Sequence, residues 1–131
     1  MKKLFISGLV AGIAMSLVGM VGNMLWQAVL PGLAAQYQTP LFRPWSDPLM
    51  SLIFVVPVLF GFVMAAIWRF HKVALHTTWW KFAVVLSVLS ILGMLMTYSC
   101  FPMSFLMLVT WCVSMIAEYL VGTWILAKMM K

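Results

Sequence analysis

Apolar residues run almost unbroken along four stretches of the chain, about residues 4–30, 49–70, 80–98 and 103–127, and polar residues gather between them. A helix needs about 20 mostly apolar residues to cross the hydrocarbon core of a bilayer. Each stretch meets or approaches that length, so the pattern predicts four membrane-spanning helices. Met1-Lys2-Lys3 followed by an apolar run resembles a signal peptide. The run continues to Leu30, however, well past a signal core of about 7–15 residues, and predicts an uncleaved first helix. The segment 31–48 is the one sizeable stretch expected outside the membrane. No long linker, low-complexity tract or internal repeat interrupts the chain. The fold class that follows is all-α: one transmembrane domain, residues 1–131, built as a four-helix bundle.

Composition strengthens this reading. Of 131 residues, 66% are hydrophobic and 8% charged, against about half and a quarter in soluble domains. A chain this short leaves too much surface in water to hide so many apolar groups. The net charge of +6 suggests nucleic acid only until its distribution is considered. Lys2 and Lys3 precede the first run, Arg69, Lys72 and Lys81 flank the loop between the second and third, and Lys128 and Lys131 follow the fourth. With four crossings these seven share one side, and Arg43 alone lies on the other. The positive-inside bias then places both ends in the cytoplasm, as in a bacterial inner-membrane protein, and argues against dual topology. Aromatic residues follow the same frame. Trp68, Trp79, Trp80 and Trp124 are expected at the inner interface, and Trp26, Trp45 and Tyr98 at the outer one, where amphipathic rings favour the half-wet layer.

Within the first run, Gly8, Gly12, Ser16, Gly19 and Asn23 recur at spacings of three and four and share one helix face. Small residues let backbones approach in lipid, either inside the bundle or across a homo-oligomer seam. Pro57, in mid-run, removes one helical hydrogen bond and presses on the carbonyl of Ile53, which predicts a kink. Gly61 lies one turn further on.

The outer segment reads Leu41-Phe42-Arg43-Pro44-Trp45-Ser46-Asp47-Pro48-Leu49-Met50. Asp before Pro is a helix-start signature, because the carboxylate caps free N–H groups and proline at the first position sacrifices no needed donor. Arg43, four residues earlier, is placed to pair with Asp47 or with lipid phosphate. This run, with Lys3, Gly8 and Ala11-Gly12 before it and Pro57 and Gly61 after it, resembles a group of uncharacterised small four-helix bacterial membrane proteins. The resemblance covers about the first half of the chain. It implies the four-span topology and no particular activity.

Glu118 is the one acid inside a run. An ionisable group at that depth costs a few kcal/mol or more and belongs on an inward face. Thr110, Ser114, Glu118 and Gly122 form a stripe at four-residue spacing. Counting turns from either interface places Ser16, Ser87 and Ser90 at similar depth. Together, Glu118, Ser114, Ser16, Ser87 and Ser90 form a candidate proton or cation site. The competing reading is an acid hydrogen-bonded to hydroxyls that joins helices.

Other chemistries find little support in the sequence. His71 and His76 are five residues apart, not the helical metal spacing of four, and neither sits within a span. Cys100 and Cys112 are expected too far apart for a disulfide. Thirteen scattered methionines suit adaptable packing. No metal, other cofactor or nucleic-acid partner is expected, and no catalytic constellation is present. Small multidrug-type transporters resemble the chain in size, span number and a single membrane glutamate. Theirs is on the first helix, and their charge bias is weak. Fluoride channels share the size, but their glycine-arginine motif is missing from the first run. Two functions remain: a structural or accessory subunit acting by helix packing in a homo-oligomer or larger complex, and a small proton- or cation-coupled transporter.

Overall fold

The computed structural model describes residues 2–44, 46–75 and 78–131, with 71–75 described by backbone alone. Trp45, His76 and the side chains of His71 and Lys72 thus lie outside the described residues. Four long helices form: α1 (Lys2–Val29), α3 (Leu52–Leu75), α4 (Trp79–Cys100) and α5 (Phe105–Met129), with a short α2 (Pro31–Gln36) between the first two. All four long helices are long and apolar enough to cross a membrane, so the chain is a helical bundle whose apolar faces contact lipid. The helices overshoot the apolar runs at several ends, because a helix continues into polar interfacial residues until something stops it. Pro31 opens α2 at its first turn. Extended Phe101 and then Pro102 separate α4 from α5, since proline cannot continue a helix by donating a hydrogen bond. Ser104 caps α5 by accepting from the Met107 N–H at 3.1 Å.

α1 packs mainly on α3 and α5, and α4 packs mainly on α5. Lys3 Nζ donates to the Lys131 carbonyl at 2.8 Å, so α1 begins where α5 finishes. That end, which also carries Arg69 and Lys81, is the basic end. Packing is uneven along the bundle. Fully buried residues of α1 stop at Met15, those of α3 begin at Gly61 and those of α4 stop at Ser87. The core therefore occupies the basic half, where Ala11, Met15, Met64, Trp68, Phe82 and Leu126 meet. In the other half, α1, α3 and α4 bury no residue completely. There, α5 buries Met107, Leu108 and Thr110, the loop segment reaches it through Gln36, Tyr37 and Phe42, and Leu33 is 0% exposed.

The crossing of α1 and α3 is a backbone contact. A Cβ added to Gly12 would lie 2.6 Å from the Val58 Cα and 2.9 Å from the Pro57 carbonyl oxygen. One added to Gly61 would collide with the Gly8 carbonyl and sit 2.6 Å from the Gly12 nitrogen. α3 passes through Pro57 as one helix, and its surface there is what Gly12 rests on. Beside this crossing Phe5 stacks on Phe62 at 4.7 Å.

One aromatic placement differs from expectation. Trp68 is 3% exposed and packs on Phe82 with ring centroids 5.5 Å apart, linking α3 to α4 in the core and not anchoring at the interface. Trp80 and Trp124 are exposed at the basic end, each with a neighbouring lysine ammonium near its ring.

Candidate functional site

α1 and α5 run antiparallel, and their interface is built from glycine notches filled by the opposite helix. Met15 fills the notch at Gly122, where an added Cβ would meet its sulfur at 2.6 Å. Glu118 fills the notch at Gly19, its carboxylate oxygen 2.6 Å from the corresponding Cβ position. Ser114 lies over Gly22 in the same way, at 3.1 Å. Gly19 is thus the space in which the Glu118 carboxylate sits, half-buried at the middle of the bundle.

None of the four serines grouped with Glu118 hydrogen-bonds to it. Ser114 accepts from Trp26 Nε1 at 2.9 Å. Ser87 donates to the Ala83 carbonyl at 2.8 Å, the back-bond that helical hydroxyls commonly make. Ser90 shares a 2.7 Å hydrogen bond with the Tyr119 hydroxyl, and the Tyr119 ring packs against Phe60 at 5.5 Å. Ser16 is half-buried on α1 with no side-chain hydrogen bond among the described residues, and Asn23 is in the same position. The structure therefore joins Glu118 to Gly19 and leaves Ser16, Ser87, Ser90 and Ser114 on other partners or on none.

The glycine face of α1 divides in two. Gly8 and Gly12 meet α3, whereas Gly19 meets α5. Ser7, Ala11 and Met15, outside the predicted stripe, are more deeply buried than Ser16 or Asn23. Gly22 and Trp26 also belong to the α5 seam. The available signal was a series at spacings of three and four, Gly19-Gly22-Trp26, which branches from the first stripe at Gly19.

Outside the spans, Arg43 pairs with Asp47 at 2.8 Å. The other Asp47 carboxylate oxygen accepts from the Leu49 N–H at 2.9 Å. Pro48 is the first residue of the 3-10 turn Pro48–Ser51 that leads into α3, so the cap starts a tight turn before the α-helix proper. The Leu49 N–H and then Arg43 hold the Asp47 carboxyl below its ordinary value. The rest of the loop is pinned to α5. Ser104 Oγ hydrogen-bonds to the Gln36 side-chain oxygen at 2.5 Å. Trp111 Nε1 donates to the Tyr37 hydroxyl, also at 2.5 Å, and Phe42 meets Trp111 edge-on at 6.1 Å. Burial pushes the Tyr37 hydroxyl up.

Two concavities lie among the described residues. One, of about 500 Å³, lies beneath this loop and is lined by Leu41, Phe42, Met103 and Met107. The other, of about 610 Å³, runs between α1 and α5 beyond the core and is lined by Leu17, Val21, Leu25, Val113 and Ala117. Cys100 and Cys112 are free thiols. Among the described residues no cluster of His, Cys, Asp and Glu is placed to hold a metal ion. No family model, curated protein or solved structure matches the chain, so any functional reading rests on the Glu118–Gly19 seam and the loosely packed half of the bundle above it.

Proposed function

We propose that this small multi-pass membrane protein is a structural or accessory subunit whose bundle is completed by helices of another chain, either a second copy or a larger membrane complex. One observation carries the reading. Glu118, Ser16 and Asn23 stand half-buried within the spans, in or beside the loosely packed half, without side-chain hydrogen bonds among the described residues. In lipid a polar side chain finds its partner in protein, because the surroundings offer none. The charge asymmetry supports both ends lying in the cytoplasm, across a bacterial inner membrane. The reading is non-enzymatic.

Its test is the mass of the protein purified in mild detergent. The account expects a complex larger than the 14.8 kDa chain, one that survives Glu118→Gln and dissociates with Glu118→Leu. A monomer that co-purifies with no other protein contradicts it.

The position of Glu118 favours a second reading. Its carboxylate has no hydrogen bond among the described residues and lies where tight packing gives way to loose, so a proton or cation arriving from the loop end would find it unengaged. A coupled transporter would show pH-dependent flux in liposomes that Glu118→Gln abolishes without loss of fold. Flux unchanged by that substitution removes this alternative.

A further inference from the structure

At the basic end, α1 and α5 bring four charged or aromatic groups to one corner. Lys3 is held there by its 2.8 Å hydrogen bond to the Lys131 carbonyl. Lys128 lies one turn before Lys131, with its ammonium 5.9 Å from the Trp124 ring centre. Trp124 is 48% exposed, and Lys3, Lys128 and Lys131 are exposed as well. None of these three lysines pairs with an Asp or Glu side chain among the described residues. The ion pair that is formed, Arg43–Asp47, lies at the other end of the bundle, and the remaining acid, Glu118, is at mid-span. Three cations are therefore drawn together at the depth where phospholipid headgroups begin, beside an indole that can donate a hydrogen bond to a glycerol or phosphate oxygen.

We propose that this corner, formed by Lys3, Lys128, Lys131 and Trp124, is a binding site for the headgroup of an anionic phospholipid. A zwitterionic headgroup brings no net charge to offset the excess of ammonium groups, whereas phosphatidylglycerol brings one negative charge and a diphosphatidyl lipid two. The hydrogen bond from Lys3 to the Lys131 carbonyl fixes the spacing between the two helix ends. The site is thus a preformed corner, and its affinity depends on these lysines more than on cations elsewhere at the same end. Each cation near an anionic surface strengthens binding by about fivefold.

The full-length chain in neutral detergent can be titrated with phosphatidylglycerol, phosphatidylcholine and inorganic phosphate, with lipid occupancy read by native mass spectrometry. The expected result is binding of phosphatidylglycerol in preference to phosphatidylcholine, with no competition from inorganic phosphate at matched charge. Lys128→Gln should weaken it about fivefold, and the triple variant Lys3→Gln/Lys128→Gln/Lys131→Gln about a hundredfold. Arg69→Gln/Lys81→Gln, at the α3–α4 side, should weaken it far less. Equal binding of the two lipids overturns the proposal. So does effective competition by inorganic phosphate, or a loss in the Arg69/Lys81 variant as large as in the triple variant. A helical circular-dichroism spectrum for each variant establishes that occupancy is compared among folded proteins.

Discussion

Asp47 shows how one carboxylate can fix a helix entry. Its oxygens are divided between a backbone N–H and Arg43, and both contacts favour the ionised form. The folded carboxyl therefore titrates below its ordinary value of 3.8. The sign follows from linkage: a depressed carboxyl contributes stability above the ordinary value, and that contribution is lost as pH falls through the folded one. Thermal unfolding followed from pH 6 downward should show wild type losing its advantage over Asp47→Ala below about pH 4. A constant difference down to pH 2 would mean that the cap does not depend on ionisation. Arg43→Ala should matter less than Asp47→Ala, because Arg43 is largely exposed and surface ion pairs contribute little. The cap was legible in the sequence because it is local: donor, acceptor and proline lie within six residues. The partners of Glu118 were not legible. Turn counting gives depth but not azimuth, and it grouped with Glu118 three serines whose hydroxyls bond to Ala83, Tyr119 and Trp26, and a fourth, Ser16, with no side-chain hydrogen bond among the described residues.

At the scale of the element, α1 is the organising helix, with α3 on one flank and α5 on the other. Its glycines do different work on the two flanks. Gly12 admits the backbone of α3, and Gly19 admits a side chain of α5. Gly12→Leu must therefore move a helix, because the obstacle is the Val58 Cα and the Pro57 carbonyl. It should cost at least the roughly 1–3 kcal/mol typical of overpacking. Val10 is 40% exposed, and Val10→Leu should leave the thermal midpoint in mild detergent almost unchanged. Equal midpoints for the two variants would mean that the α1–α3 crossing is not a backbone contact. The four helices could be read from the sequence because a bilayer demands length and apolarity, both one-dimensional properties. The division of the α1 face between two neighbours could not. It depends on which helices sit beside α1, and loop lengths alone do not settle that. The short α2 was also missed. Its six residues are too few for a periodic signal, and Leu33 is buried by tertiary packing against the rest of the chain.

For the molecule as a whole, the half nearer the basic end is a packed core and the half nearer the loop is not. Trp68 marks the difference, since an indole expected at the interface is instead a core residue joining α3 to α4. The proposed subunit role requires another chain to complete the loose half. Asn23→Cys, with Cys100 and Cys112 replaced by serine, tests it directly by crosslinking in intact membranes. Val85→Cys serves as the control, because Val85 is 50% exposed on α4 in the packed half. A discrete crosslinked product is expected through residue 23, to a second copy or to another membrane protein, and little product through residue 85. Crosslinking at residue 23 no greater than at residue 85 would overturn the subunit role.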